Sequence, residues 1–337
     1  MLIVQKYGGS SLADPERLRR VAERCLARRE ACELVVVVSA MGGETDQLTD
    51  RARAVSNRPS ARELDALVTT GEQQSAALLV MTMEELGLPA VSLTGWQAGI
   101  LTDCAYGDGE IRLIAPGRIR EELGRGRVPV VTGFQGVCAR GDVTSLGRGG
   151  SDTTAVALAA ALEADGCEIY TDVDGVYTAD PRVLREAKLL PAVDARDMLA
   201  LARAGAKVLH PKCVELALAN GVALRILSSF TEGEGTRIRR LPDAARPPFA
   251  GITGEPEAGR IFLAGKAADA AALSRAALLL AEAGLPLTDG ALADGGIVLT
   301  VPPGDWREAI SLLHGEMVLA KAAPHNPPSA PSGKITP

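Results

Sequence analysis

The sequence predicts a doubly wound α/β domain with a mainly parallel sheet, followed by a small ferredoxin-like unit. Three observations carry that prediction. Short apolar, β-branched runs alternate with helical patterns through the first two thirds of the 337 residues. Glycine-rich loops follow several of these runs directly. Composition then shifts near Thr231, beyond which a strand–helix–strand–strand–helix order resumes. Alternation of this kind builds parallel sheets whose ligands bind outside the carboxyl ends of the strands.

In chain order, buried strands are expected at 2–5, 34–38, 90–93, 128–132, 168–171 and 223–227, where apolar runs leave no polar face. Helices are expected at 15–28, 60–85, 116–122, 152–163 and 195–204. Asp14 and Pro15 suit the start of the first helix, as N-cap and first helical residue. The domain so defined covers 1–230. Residues 231–248, "TEGEGTRIRRLPDAARPP", are rich in Gly, Pro and charge and read as a linker. Beyond it, strands at 261–264, 285–288 and 296–301 with helices at 269–283 and 305–314 form the small unit, 249–320. The Pro- and Ser-rich end, 321–337, reads as a disordered tail.

Composition narrows the function. With 47% hydrophobic and 23% charged residues the chain can bury a sizeable core. A net charge of −6 gives no basic excess for nucleic acid or an anionic membrane, and 3% aromatics argue against a base-stacking platform. The six cysteines contain no CxxC pair, so neither a zinc site nor a disulfide framework is expected, and a reduced cytoplasm fits. The longest apolar runs, such as "LVVVVSAM" at 34–41, fall short of the ~20 residues of a membrane span.

The chemistry concentrates in the loops "QKYGGSS" (5–11), "SAMGG" (39–43), "TGFQG" (132–136) and "SLGRGGSDTTA" (145–155). Neither a GxxxxGK[ST] loop nor a GxGxxG turn occurs, so a nucleotide site would follow another α/β design. Lys6, before Gly8 and Gly9, either neutralises phosphate oxygens or snorkels to the surface. Glu72 sits at a helix start, as a cap or as an acceptor for an ammonium. Asp152 either N-caps the alanine-rich helix or joins Glu72 and Arg148 in holding an amino acid, with Arg148 on a carboxylate. "TDVDGVYTADPR" (171–182) is either an acidic turn or a strand edge along which a nucleotide lies. His210, His314 and His325 show no metal-ligand spacing.

Together with "SAMGGETDQL" (39–48), "TTGEQQSAALL" (69–79), "SLTGWQAG" (92–99), the whole run 146–182 and "GAKVLHPK" (205–212), these stretches resemble the aspartate kinases of the amino acid kinase family over about the first 230 residues. The resemblance implies a carbamate kinase-like three-layer αβα sandwich. It also implies ATP-dependent phosphorylation of the β-carboxylate of L-aspartate to 4-phospho-L-aspartate, the entry to lysine, methionine and threonine synthesis. Carried onto this chain, it puts Lys6, Gly8, Gly9 and Ser39 on the phosphates, and Thr171, Asp172, Tyr177, Arg182 and Lys207 on the nucleotide. Thr45, Glu72, Arg148, Ser151 and Asp152 would bind aspartate, with Lys6, Arg148 and Asp152 central to catalysis. Mg²⁺ would arrive with ATP, with no metal site of the protein's own. A carboxylate with pKa near 3.9 is already ionised at neutral pH, so no general base is required. Members of this family usually carry two ACT modules. Residues 249–320 have room for one, and "LPLTDGALADGG" (285–296) departs from the usual effector strand and loop. The resemblance thus implies weakened or altered feedback, and a homodimer through the ACT-like domain.

Overall fold

A computed structural model describes residues 1–319, and the chain forms two compact units, Met1–Arg246 and a second beginning at Pro247. The expected tail at 321–337 lies outside the described residues.

The first unit opens with β1 (Leu2–Tyr7), α1 (Pro15–Arg29), β2 (Glu33–Val38), α2 (Glu44–Val55), α3 (Ala61–Val68), α4 (Thr70–Glu85) and β3 (Ala90–Leu93). There follow β4 (Ile100–Thr102), β5 (Ile111–Ile114), α5 (Gly117–Gly124), β6 (Val128–Thr132), β7 (Gln135–Cys138), β8 (Val143–Ser145) and α6 (Gly150–Leu162). It closes with β9 (Gly166–Thr171), β10 (Ala192–Asp194), α7 (Ala195–Arg203), α8 (Pro211–Asn220), β11 (Leu224–Ser228) and β12 (Thr236–Arg239).

Eight strands make the main sheet, in the order β10-β12-β11-β9-β1-β2-β6-β3. β3, β6, β2, β1, β9 and β11 run parallel; β12 is antiparallel to β11 and parallel to β10. The chain starts at β1, builds β2, β6 and β3 on one side, then returns to build β9 and β11 on the other. That reversal opens a crevice at the carboxyl end of β1. Ile3, Tyr7, Val36 and Val130 pack beneath Leu18, Val21 and Cys25 of α1 and Leu79 and Met83 of α4. Lys6 faces the opposite layer, where its ammonium meets α6. The mainly parallel αβα sandwich is therefore present.

Several boundaries differ from expectation. The helix expected over 60–85 is broken at Thr69: the Thr69 and Thr70 hydroxyls donate to the carbonyls of Asp65 and Leu67 (both 2.7 Å), a back-bonding that bends helices. α2, α8 and a second sheet, β5-β4-β7-β8, have no counterpart in the expected elements. The supposed linker contains β12, whose Thr236 and Ile238 are buried while Arg237 and Arg239 face solvent. Arg246, still within the first unit, is held by Asp197.

The second unit contains β13 (Gly251–Glu255), β14 (Arg260–Ala264), α9 (Ala270–Glu282), β15 (Asp289–Ala293), β16 (Gly296–Thr300) and α10 (Trp306–Leu313). Its sheet is antiparallel throughout, in the order β13-β14-β16-β15. The added strand β13 takes the position beside β14 that the last strand of a ferredoxin-like unit would hold. The strand expected at 285–288 begins at Asp289 instead, because the Leu285 N–H turns back onto the Leu280 carbonyl (2.9 Å) and closes α9. Among the described residues no helix is long and apolar enough to cross a membrane.

Candidate active site

The loops after β1, β2, β6 and β9 open on one edge of the sheet because these strands run parallel. α6 leads back into β9 through residues 163–165, so its N-terminus reaches the same edge. The first two loops touch backbone to backbone: Gly42 N–H donates to the Gly9 carbonyl (3.1 Å). A Cβ at Gly9 would stand 2.5 Å from the Ala40 carbonyl oxygen, so only glycine fits.

Lys6 and Asp152 are the most direct pairing. The Lys6 ammonium lies 2.7 Å from Asp152 Oδ1, with side chains only 11% and 16% exposed. Asp152 is therefore not the N-cap of α6. That position belongs to Gly149, at φ +71°, where a Cβ would fall 2.3 Å from the Cβ of His210. Left-handed backbone pressed against a side chain requires glycine here. An ammonium has three donors, so pairing with one oxygen leaves two open beside Gly8.

Glu72 lies in the first turn of α4, and its carboxylate is buried. Its Oε1 accepts the Ala40 N–H (3.0 Å), while Oε2 meets no donor among the described residues. Burial pushes this carboxyl up to about 7, against the pull of the Ala40 N–H. Two further buried atoms share the condition: Thr132 Oγ1, at the end of β6, and Gln135 Oε1. Gln135 Nε2 donates to the Thr69 carbonyl (2.8 Å), which fixes its amide oxygen as the open acceptor. β2 and β6 end side by side, with Val38 opposite Thr132, beneath the N-terminus of α4. Open acceptors that are buried and lack donors suit a ligand with several N–H groups, such as an ammonium.

Ser151 is buried and packs against Gly133 of the loop after β6. Arg148 is exposed, and no ion pair engages it among the described residues. Between them Phe134 adopts φ +67°, a left-handed conformation that costs a bulky residue about 1–3 kcal/mol. Its N–H donates to Thr154 Oγ1 (3.1 Å) and its carbonyl accepts from Leu146 (2.8 Å), which hold it there.

The residues expected on the nucleotide are spread over the end of β9 and the turns beyond it, with Asp172, Arg182 and Lys207 exposed and Thr171 and Tyr177 half-buried. Thr171 Oγ1 donates to Asp172 (3.1 Å), and the Tyr177 hydroxyl donates to Asp174 (3.4 Å). Arg182 grips Asp180 with Nε and Nη2 (3.0 and 2.7 Å). Those bonds, with a weaker pull from Lys207, hold the Asp180 carboxyl below its usual range. Ser39 follows β2, and its N–H donates to the Tyr7 carbonyl (3.1 Å). Thr45 lies in the first turn of α2, whose Glu44 and Leu48 pack against Gly71, the neighbour of Glu72. Thr132, Phe134, Gln135 and Asp65 were not singled out from the sequence, although the first three belong to "TGFQG".

Comparison with known proteins agrees in one direction. The model of the amino acid kinase family matches residues 1–228. The aspartokinase of Mycolicibacterium smegmatis is 53% identical over 240 residues, 71% of this chain and 57% of that protein. That of Corynebacterium glutamicum is 46% identical over 325 residues, 93% of this chain and 77% of that protein. The crystal structure of aspartate kinase from Synechocystis superposes with a TM-score of 0.65 at 33% identity, covering 97% of this chain and 71% of that one. The chain thus spans little more than half the length of the Mycolicibacterium relative.

Proposed function

Because the chain belongs to the amino acid kinase family, we propose that it transfers the γ-phosphoryl group of ATP to the β-carboxylate of L-aspartate, giving 4-phospho-L-aspartate and ADP. The observation that carries this reading is the Lys6–Asp152 pair (2.7 Å) at the crevice, with Glu72 buried and half-partnered nearby. Lys6, Gly8, Gly9 and Ser39 would meet the phosphates. Thr171, Asp172, Tyr177, Arg182 and Lys207 would line the nucleotide. Thr45, Glu72, Arg148, Ser151 and Asp152 would bind aspartate, with Arg148 on the α-carboxylate and Glu72 on the ammonium.

The nucleophile is an ionised carboxylate, so the protein need not remove a proton. Its work is to align two anions and relieve their repulsion, which Lys6 and the N–H groups of the glycine loops can do. Mg²⁺ supplies further charge relief when bound. Among the described residues no three His, Cys, Asp or Glu side chains converge on one point. An ion that arrives on ATP needs only one or two protein oxygens, so this donor set fits one held mainly by the nucleotide.

The second unit supports an ACT-like reading, with pairing of two chains through it and altered feedback. Size-exclusion chromatography with light scattering tests the pairing, and inhibition by lysine or threonine at submillimolar concentration would refute the altered feedback. All six cysteines are free, in keeping with a reducing cytoplasmic setting, and the proposed product would enter lysine, methionine and threonine synthesis. The decisive experiment traps acyl phosphate with hydroxylamine, using purified protein, MgATP and either L-aspartate or L-glutamate. Hydroxamate is expected with aspartate alone. Its absence with aspartate, from folded protein that binds ATP, would overturn the proposal.

A further inference from the structure

Asp65 stands on α3, one turn before the Thr69 bend, and is only 2% exposed. Three donors converge on its carboxylate. Oδ2 accepts the backbone N–H groups of Gly107 and Ser145 (both 2.9 Å), and Oδ1 accepts the Ser145 hydroxyl (2.7 Å). No Lys, Arg or His pairs with it among the described residues, so neutral donors alone hold a carboxylate in the interior. Ser145 is the last residue of β8, three before Arg148.

Around the segment between them, the Ser145 carbonyl accepts the Gly109 N–H (2.7 Å), the Gly147 carbonyl accepts the Gly150 N–H (3.1 Å) and Gly149 packs against His210. Arg148 has no ion pair among the described residues, and it lies between Gly147 and Gly149, both left-handed (φ +69° and +71°). The backbone is tied at Leu146, whose N–H donates to Phe134 (2.8 Å), and at Gly149, whose carbonyl accepts from Thr153 (3.0 Å). Asp65 is the side chain that takes both the N–H and the hydroxyl of Ser145, where this segment leaves the small sheet. The same residue also reaches the other end of the crevice. Its carbonyl accepts the N–H and hydroxyl of Thr69 (3.2 and 2.7 Å), the Thr69 carbonyl takes the Gln135 amide, and Glu72 follows three residues later.

We propose that Asp65 is a positioning residue that fixes the spacing between Arg148 and Glu72, so that only an amino acid whose carboxylate and ammonium match that spacing engages both. This rests on the amino acid kinase reading above. Loss of the clip releases the arginine segment without touching the nucleotide loops. It therefore weakens amino acid binding and blurs the choice between aspartate and its one-methylene-longer homologue.

The test compares Asp65→Ala and Asp65→Asn with the unmodified chain in the hydroxylamine assay, with ATP binding measured separately. For Asp65→Ala the KM for aspartate is expected to rise at least tenfold and the aspartate-over-glutamate preference to fall at least fivefold. The KM for ATP should stay within twofold. Asp65→Asn should recover most of the aspartate KM, because its carbonyl can accept both N–H groups while its amide donates to the Ser145 hydroxyl. Should Asp65→Ala fail to fold, Ser145→Ala removes one of the three bonds and should raise the aspartate KM two- to fivefold. A folded Asp65→Ala with unchanged aspartate KM and preference would overturn the proposal. So would equal losses for both substrates, or, where only Ser145→Ala folds, an unchanged aspartate KM. An unmodified chain that binds ATP but makes no hydroxamate would overturn the functional reading, and this one with it.

Discussion

The two ends of the crevice are built differently. At the end proposed for the amino acid, Glu72, Ser151 and Asp152 are buried or nearly so and hang from the first turns of α4 and α6, with Arg148 exposed beside them and Lys6 joining this end to the one proposed for the phosphates. At the end proposed for the nucleotide, Asp172, Arg182 and Lys207 are exposed on turns and pair with sequence neighbours where they pair at all. A desolvated charge interacts strongly and is costly to leave unpaired, whereas an exposed one is screened by water and salt. On the proposed assignment, the contrast puts the discrimination of substrates in the buried half and leaves the exposed turns proposed for the nucleotide adaptable. Substitutions of equal chemistry should then have very unequal effects at the two ends.

The largest effect is expected at Lys6. Lys6→Met removes the cation between the phosphates and the amino acid, and kcat should fall by about 10²–10³-fold or more, as when a preorganised donor is removed from a developing charge. It also strands the Asp152 carboxylate, so the variant should melt lower. Adding Asp152→Asn should restore the melting temperature but not turnover. Recovery of turnover in the double variant would move Lys6 out of the chemical step and break the contrast at its strongest point.

Glu72 comes next, and pH separates its two roles. Its pKa rises from 4.5 to about 7 on folding, chiefly through burial. Between those values the native state holds the extra proton, so stability falls as pH rises through the window, and above it the buried charge is a net cost. Glu72→Gln should therefore stabilise the unliganded chain at pH 8, by roughly 1–3 kcal/mol, and do little near pH 4.5. Urea unfolding at both values measures this. The same change should raise the aspartate KM at least tenfold, because an ammonium loses its counter-charge. In the unmodified chain the aspartate KM should climb as pH drops below about 7, where Glu72 becomes neutral, and in Glu72→Gln that slope should vanish. A KM that rose without loss of the slope would assign the titration to another group.

What could be read from the sequence follows the same division. Lys6 with its two glycines, and the glycine–arginine–aspartate loop before an alanine-rich helix, are local patterns in which chain order and spatial order coincide. Asp65 is not local: its partners lie 42 and 80 residues away, on segments that only the small sheet brings near. Phe134 was hidden because a left-handed aromatic has no sequence signature; the loop around it overrides its own preference. β12 is masked in the sequence because flanking Gly, Pro and charge outweigh a four-residue alternation in which Thr236 and Ile238 are buried. The Thr69 bend went unread because two hydroxyls in a helical pattern do not announce which carbonyls they will take.

The smallest effect is expected at Arg182, which makes it the sharpest test of the adaptable end. Its guanidinium is 76% exposed and already committed to Asp180 at 2.7 Å. To reach a nucleotide it must leave that partner, and an exposed pair is weak and screened by water, so the exchange yields little net binding. Arg182→Ala should raise the KM for ATP no more than about fivefold. It should leave the aspartate KM, the aspartate-over-glutamate preference and the melting temperature unchanged. The ATP effect should also shrink with added salt, unlike the effect of Glu72→Gln on aspartate. A tenfold or greater, salt-insensitive loss would mean that Arg182 is desolvated by the bound nucleotide. The two ends would then differ only before ligand arrives, and the exposed turn would be closing over ATP.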